Sequence, residues 1–264
     1  MKSFIFESLK KAMLSIPFFV SCGLVIVTML GAVYLDYRFD GINIGQCSAI
    51  EIFLRGYYYS NSILPIVATI ICTLPFSSCY AMDHQSGYEK NLMVRMGRKK
   101  YFQSRFCTTG IMGALSFLLP MVVYFIIALI FFQEPISQER MSELIRHSPY
   151  ESLTIISPYL YVGMIVIHCS IFGMVYGVLG FAISFFIKKK YVAWTVPFFL
   201  TIVFSLFAMY VNLTSIEPMS IFAVKRNIHI SLGTILGEFF VIFVGSYLIA
   251  KKKLERDMKD DKEF

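Results

Sequence analysis

Long apolar stretches alternate with short polar segments along the whole chain. Runs such as MVVYFIIALIFF do not alternate between polar and apolar residues, so they indicate helices rather than the strands of a membrane β-barrel. A helix needs about 20 mainly apolar residues to cross the hydrocarbon of a bilayer. The pattern therefore predicts an all-α, polytopic membrane protein with six transmembrane helices, at residues 13–34, 57–82, 107–132, 159–187, 192–211 and 230–250.

Two segments outside these spans have the periodicity of surface helices. Residues 1–12 are amphipathic and basic, which is typical of a helix lying in the membrane interface, although a frayed polar leader is an alternative. The apolar face of this helix would hold Ile5, Phe6, Leu9 and Met13, with Lys2 and Phe4 as exceptions to the pattern. In residues 83–105, Tyr88, Leu92 and Met96 share a helical face, and Gly97 is a plausible helix stop. We expect this second segment to present an apolar ridge to a soluble partner.

The loops at the opposite ends of the spans differ in character. In the loop 133–158, Met141, Leu144 and Ile145 have helical spacing, and Ser137 is a candidate N-cap for that helix. The loop 212–229 is unusually apolar and contains Pro218, which favours a pair of short helices dipping back into the membrane. The loop 36–56, with Asp40, Glu51 and Arg55, has no recognisable site.

Composition and charge support a membrane location and suggest an orientation. Mean hydropathy is +0.67, and only 16% of residues are charged, against about 25% in an average globular protein. With the N-terminus inside, all but six of the 24 Lys and Arg residues fall on the inner side, as the positive-inside rule requires. The exceptions are Arg38, Arg55, Arg140, Arg146, Lys225 and Arg226. Both termini, including the charged tail 251–264, are therefore predicted to be cytosolic, and the net charge of +7 fits anionic lipid without a nucleic-acid partner.

The sequence favours neither cleavage of a signal peptide nor disulfide bonds. A cleaved signal peptide is the alternative for the N-terminus, but the first apolar run is too long and no A-x-A site follows it. The six cysteines form no framework, since only Cys47 faces outward and it has no obvious disulfide partner in the chain.

Motifs for catalysis are absent from the sequence. No glycine is followed by lysine, so there is no G-x-x-x-x-G-K-[ST] loop for a nucleotide, and H-E-x-x-H does not occur. The histidines, which are His84, His147, His168 and His229, show no ligand spacing. We therefore expect no enzymatic activity, metal or cofactor in this chain.

Two ionisable residues lie inside predicted spans at similar depth. They are His168 in the fourth span and Glu238 in the sixth. Such residues commonly mark functional sites, so Glu238 is a candidate for lining a polar pathway or for pairing with His168. The alternative is that each is satisfied by a backbone carbonyl, a tyrosine or a partner subunit.

Small residues and prolines indicate packing surfaces and bends. Gly173 and Gly177 are four residues apart, as are Gly233 and Gly237, and this spacing lets helices approach closely, within one subunit or between two. Prolines inside predicted spans are expected to kink them. They are Pro65, Pro75, Pro120 and Pro197.

Six spans with inside termini, an interfacial first helix and a basic segment between spans two and three form a familiar layout. Locally, Tyr88-Glu89 is followed by Arg95-Met-Gly-Arg98-Lys-Lys-Tyr101, and the proline-bearing loop LTSIEPMSIF precedes the last span. Over nearly its full length the chain resembles the permease subunit of an ABC-2 type exporter.

That resemblance implies partners and a mechanism. Two permease subunits, identical or paralogous, would pair within the lipid of a bacterial cytoplasmic membrane, with separate cytosolic ABC ATPase subunits beneath them. Residues 83–105 would be the coupling helix that contacts the ATPase, and residues 1–12 would also touch it. The implied coupling residues are Tyr88, Glu89, Leu92, Arg95, Met96 and Arg98. The cargo would be amphipathic, such as an antimicrobial peptide, in export or immunity, or a drug.

Two other classes of function remain open. A stand-alone secondary transporter would favour internal repeats and more intramembrane charge, and no convincing repeat relates residues 1–132 to 133–264. A non-transporting assembly or sensory protein would favour a dedicated soluble domain, which the pattern does not contain.

Overall fold

The fold is all-helical in the described part of the chain. The computed structural model describes residues 2–58, 61–146, 148–187, 189–224 and 230–260. The helices are α1 (Lys2–Met13), α2 (Ile16–Phe39), α3 (Ala49–Tyr58), α4 (Leu64–Thr73), α5 (Cys79–Gln85), α6 (Tyr88–Met96), α7 (Arg98–Phe131), α8 (Gln138–Ile145), α9 (Leu153–Ile156), α10 (Pro158–Ser184), α11 (Lys190–Tyr210), α12 (Pro218–Phe222) and α13 (Leu232–Asp260), with 3₁₀ turns at Ile44–Gln46 and Thr214–Ile216. Predicted features outside the described residues are His147, Lys188, Lys225, Arg226, His229 and the end of the tail, 261–264.

Within those residues, five helices are long and apolar enough to cross a membrane. They are α2, α7, α10, α11 and α13, and they correspond to five of the six predicted spans. The protein is therefore a polytopic helical membrane protein by length and composition. We call the end of the bundle that carries α1 and α6 the inner end, and the end that carries α3 and α8 the outer end.

The remaining predicted span, 57–82, is not one helix. Residues 59 and 60 lie outside the described part, and the rest divides between the end of α3, the ten-residue α4, a turn at 74–78 and α5. Pro65 stands in the first turn of α4 and Pro75 comes two residues after its end, which are places where proline starts and stops helices. At about 1.5 Å per residue, α4 is too short to cross a bilayer alone. Pro65 and Pro75 therefore bound a helix and do not kink one, whereas Pro120 and Pro197 lie inside α7 and α11.

Helix α10 is the centre of the bundle. It packs against α7, α4, α11 and α13, and 67% of its most apolar stretch is buried, against 17% for α13. Gly173 of α10 faces Gly113 of α7 so closely that a Cβ on either would overlap the backbone of the other. The Gly173–Gly177 pair thus serves packing within the subunit. The other predicted pair differs, because a Cβ added at Gly237 would meet nothing within 4 Å.

The first helix packs on the start of α7. Ser8 and Ala12 are buried, and Phe4 and Leu9 are partly buried against neighbouring side chains. Phe6, by contrast, is 70% exposed, and Met13 is also exposed. The interfacial location of α1 stays a prediction, and the exposed Phe6 and Met13 are compatible with it. Small residues allow the close approach of α1 to α7.

The predicted segment 83–105 is divided by Gly97. This glycine ends α6 and has a φ of 81°, a conformation that favours glycine, and α7 begins at the next residue. The helix stop at Gly97 is confirmed, but residues 98–105 belong to the long membrane helix α7 and not to a separate surface segment. Similarly, the charged tail continues α13 to Asp260, with Leu254 buried at the inner end.

Two predictions of local structure at the outer end are confirmed, whereas the insertion of the apolar loop into the membrane stays a prediction. Ser137 caps α8, where its Oγ accepts a hydrogen bond from the Arg140 amide at 3.3 Å, and Met141, Leu144 and Ile145 are buried. The apolar loop before α13 forms the pair of short helices Thr214–Ile216 and α12, with Ile221 and Phe222 fully buried.

Candidate functional site

A buried ion pair joins the two ends of the predicted coupling segment. Nη2 of Arg105 lies 2.7 Å from Oδ2 of Asp83, and the Tyr101 hydroxyl donates to the same oxygen at 2.9 Å. The two charged side chains are 8% and 12% exposed. Burial raises the pKa of the Asp83 carboxyl, while the charge of Arg105 and the hydrogen bond from Tyr101 oppose that shift. The pair holds the end of α5 to the first turns of α7, with α6 between them.

Aromatic rings surround the Arg105 guanidinium. Its Cζ lies 5.3 Å from the ring centroid of Phe4, 5.5 Å from that of Phe76 and 5.8 Å from that of Tyr101. Its Nη1 also donates to Ser8 Oγ at 3.5 Å. Because cations are attracted to aromatic faces, Arg105 connects α1, the turn before α5 and α7 at one point. Phe4, an exception to the predicted pattern of α1, is one of these contacts.

The six predicted coupling residues divide between two faces of α6 and its junction with α7. Leu92 is 6% exposed and belongs to the apolar cluster of the inner end, and Met96 packs against the same cluster. Glu89 is buried, and its Oε2 lies 2.7 Å from Nδ1 of His84. Tyr88, Arg95 and Arg98 are exposed. The expectation that Leu92 and Met96 form an outward ridge with Tyr88 was therefore wrong, because the chain's own core covers them.

A different surface of α6 faces away from the bundle. Val94 is 87% exposed and Tyr88 is 47% exposed. Lys90, Arg95 and Arg98 are exposed on the same short helix and at its end. This outer surface of α6, made of Tyr88, Lys90, Val94, Arg95 and Arg98, is the candidate docking surface at the inner end.

His168 holds the buried short helix α12 in place. Its Nε2 lies 2.8 Å from the carbonyl oxygen of Ile221, and its Nδ1 lies 3.0 Å from the hydroxyl of Tyr150. The Tyr57 hydroxyl donates to the next carbonyl, that of Phe222. Carbonyls at the end of a buried helix need such donors, since no water reaches them. A backbone carbonyl and a tyrosine thus occupy both nitrogens of His168.

Glu238 has a different partner. The Tyr176 hydroxyl donates to its Oε1 at 2.6 Å, across the contact between α10 and α13. His168 and Glu238 are therefore not paired with each other. The carboxyl is partly buried, and its hydrogen bond to a tyrosine is the arrangement expected of an acid held inside a membrane helix.

An ionic network at the outer end was not anticipated. Arg55 lies 2.9 Å from Oε1 of Glu51 and 3.4 Å from Oδ2 of Asp36, and both carboxylates are 1% exposed. Arg140 of α8 approaches Glu51 at 3.6 Å, and Asn61 donates to Asp36 at 2.8 Å. The spacing of Glu51 and Arg55, four residues apart on one helix, was the available signal for part of this network. Its connection to Asp36 depends on the packing of α2 against α3.

Hydroxyl side chains line the contact between α4 and α11. Pro197 has no amide hydrogen, so the carbonyl of Ala193, four residues earlier, loses its helical donor. Ser77 Oγ lies 3.5 Å from that carbonyl oxygen, and Thr73 donates to the carbonyl of Trp194 at 3.2 Å. The broken second span thus supplies donors to the proline-bearing helix.

No group of three or more His, Cys, Asp or Glu side chains that could hold a metal occurs in the described residues. No protein-family model matches the chain, and no curated protein matches it significantly.

Proposed function

We propose that this chain is the membrane-spanning permease subunit of an ABC-2 type exporter, with six passes and both termini in the cytosol. It pairs with a second permease subunit and with separate ATPase subunits in the cytoplasmic membrane of a bacterium. The cargo is an amphipathic molecule, such as an antimicrobial peptide or a drug, that is moved out of the cell. ATP hydrolysis belongs to the partner, since the chain has no phosphate-binding loop.

The observation that carries the proposal is that α6 is fixed to neighbouring helices on one side and exposed on the other. Val94, Tyr88 and three basic side chains are exposed on α6 and at its end. The His84–Glu89 contact joins α6 to α5, and the Asp83–Arg105 ion pair joins α5 to α7. A helix that moves with a membrane helix and exposes an apolar and basic surface suits a partner that exerts force. Arg105 extends this connection to α1.

The experiment is purification of the tagged chain from native membranes in mild detergent, with identification of the proteins that accompany it and assay of ATP hydrolysis. A soluble P-loop ATPase is expected in stoichiometric amount. Val94→Asp and Arg95→Glu are expected to release it, because they place negative charge on the exposed surface of α6. Leu92→Asp is unsuitable, since Leu92 lies in the core.

A matched control comes from the outer end. Ile155 is 87% exposed, like Val94, so Ile155→Asp makes an equivalent change far from α6 and is expected to retain the ATPase. A clean wild-type preparation without an ATPase would refute the proposal. Equal loss of the ATPase from the Ile155 and Val94 variants would show that the outer surface of α6 is not its docking surface.

One observation favours a second candidate, a stand-alone secondary transporter. Glu238 is an acid within a membrane helix, and its only hydrogen-bond partner among the described residues is Tyr176. Glu238→Gln retains the shape and removes the negative charge. In an ion-coupled transporter this variant would abolish transport driven by a proton gradient, whereas the exporter is expected to retain ATP-dependent transport at normal expression.

A further inference from the structure

A cavity of about 470 Å³ opens at the outer end of the bundle. It lies where α7 ends, where α10 begins and where the first turn of α3 is buried, and the segment 133–136 closes one side. Because α7 and α10 are both candidate spans, their ends place the cavity at the predicted boundary between lipid and water. Its volume is within the range of about 300–1,000 Å³ that is usual for small-molecule sites.

The lining of this outer cavity is divided by chemistry. Ile50, Leu129 and Phe132 contribute apolar surface, and the Tyr159 ring stands at the side with 58% of the residue exposed. Gln133 and Glu134 contribute polar groups that are exposed at the rim. A molecule that fits must therefore have an apolar body and a polar head.

Glu134 indicates that the polar head of the ligand carries a positive charge. It is the only charged residue among those that line the cavity, and no ion pair to it occurs in the described part of the chain. At each of the two helix N-termini nearby, a serine hydroxyl already accepts one of the free amide hydrogens that an anion would otherwise use. Ser48 Oγ accepts from the Glu51 amide at 3.1 Å, and Ser157 Oγ accepts from the Tyr159 amide at 3.3 Å.

Aromatic faces add to the attraction for a cation. The rings of Phe132 and Tyr159 both line the cavity, and a cation over such a ring is favoured, most strongly when water is displaced. We propose that the outer cavity is a binding site for an ammonium-bearing amphiphile, with its cation at Glu134 and its apolar body against Ile50, Leu129 and Phe132. Binding at this site does not depend on the proposed function. Only the identification of such an amphiphile as the cargo rests on that function.

Photoaffinity labelling tests the site without the ATPase, so its failure and the failure of the exporter proposal are distinguishable. The purified full-length chain in nanodiscs of anionic lipid is exposed to a long-chain alkyl trimethylammonium that carries a diazirine, and labelled peptides are mapped by mass spectrometry. Labelling is expected within residues 129–136 and at 158–159. Glu134→Gln is expected to weaken half-saturation by about three- to fivefold, as for an exposed ion pair.

Glu139→Gln is the matched control, because Glu139 is an exposed acid on α8 that does not line the cavity. It is expected to leave labelling unchanged, and Tyr159→Ala is expected to reduce it. An alkyl sulfate of the same chain length should not compete. Equal labelling of wild-type and Glu134→Gln proteins, or an equal loss in the Glu139 variant, would overturn the proposal.

Competition then distinguishes two sources of the same chemistry. Displacement of the probe by phosphatidylethanolamine in the nanodisc would identify a lipid headgroup as the natural occupant. Displacement by a basic amphipathic peptide, with phosphatidylethanolamine ineffective, would identify the site as one for cargo. Both results support an ammonium site, and displacement by neither would refute the natural role.

Discussion

Arg105 is a buried charged residue that contacts Asp83, Ser8 and three aromatic rings. Its carboxylate partner Asp83 is nearly as buried, and removal of one member would leave the other charged group without compensation. The sequence indicated Arg105 only as one of many inner basic residues. Neither its pairing with Asp83 nor its contact with Phe4 could be predicted, because both depend on how three helices pack.

Asp83→Ala is expected to lower the free energy of unfolding by about 3 kcal/mol, since it strands the Arg105 guanidinium. Arg105→Ala should cost a similar amount, and the double variant should cost less than the sum of the two. Unfolding in detergent micelles, followed by circular dichroism, measures all four proteins of the cycle. Strictly additive losses would show that the two side chains do not interact.

Gly173 and Gly237 provide a second comparison between residues. Gly173→Ala would drive a Cβ into the Gly113 carbonyl and against Phe117, so a shift of α7 from α10 and a loss of about 1–3 kcal/mol are expected. Gly237→Ala meets open space in an α-helix and should be neutral or slightly stabilising. Thermal unfolding of both variants checks this, and equal effects would contradict the close helix contact. Sequence spacing alone could not separate the two glycine pairs.

At the scale of elements, the long helices were predictable and the broken one was not. Uninterrupted apolar length identifies α2, α7, α10, α11 and α13, although α7 begins nine residues before its predicted span and α13 ends ten residues after its own. In the second predicted span the apolar average is equally high, but Pro65, Pro75 and the hydroxyls between them allow the chain to leave the helix. Whether such a break forms depends on neighbours that can satisfy the freed backbone.

The α4–α11 contact illustrates such neighbours and gives an element-scale prediction. Ser77→Ala removes a hydroxyl that lies 3.5 Å from the Ala193 carbonyl oxygen, which Pro197 leaves without its helical donor, and that also donates to the Thr73 carbonyl. In a Pro197→Ala background the helix itself supplies that donor, so the same serine substitution should cost less than in the wild type. The difference is expected to be about 0.6 kcal/mol, the size of an average hydrogen bond between membrane helices. A double-mutant cycle by unfolding in micelles measures it, and an unchanged cost would separate Ser77 from the proline.

At the scale of the whole molecule, the orientation is a prediction from charge. In a protein without its own cysteines, Glu139→Cys is expected to react with a membrane-impermeant maleimide on intact cells, since α8 belongs to the predicted exterior. Val94→Cys should react only after the cells are permeabilised. Both positions are exposed, so accessibility within the protein does not bias the comparison. Reaction of the Val94 variant in intact cells would show that the topology is the reverse of the predicted one.

The candidate sites were predictable to different degrees. Helical periodicity located α6 and its stop at Gly97, but it could not tell which face the protein would cover. Leu92 and Met96 meet the core because the apolar cluster of the inner end gathers side chains from several helices, including Phe181 of α10 and Leu254 of α13. The outer cavity could not be predicted from the sequence, since its walls come from three separated segments, 48–50, 129–136 and 158–159.

The pairing of Tyr176 with Glu238 has a consequence for how the protein is made. Synthesis proceeds from the N-terminus, and α10 is complete before α13 has left the ribosome. The Tyr176 hydroxyl, which donates to the Glu238 carboxyl, is therefore already in the bilayer when α13 is inserted. An acid that would be costly to insert alone can therefore meet its hydrogen-bond donor as soon as α13 enters the bilayer.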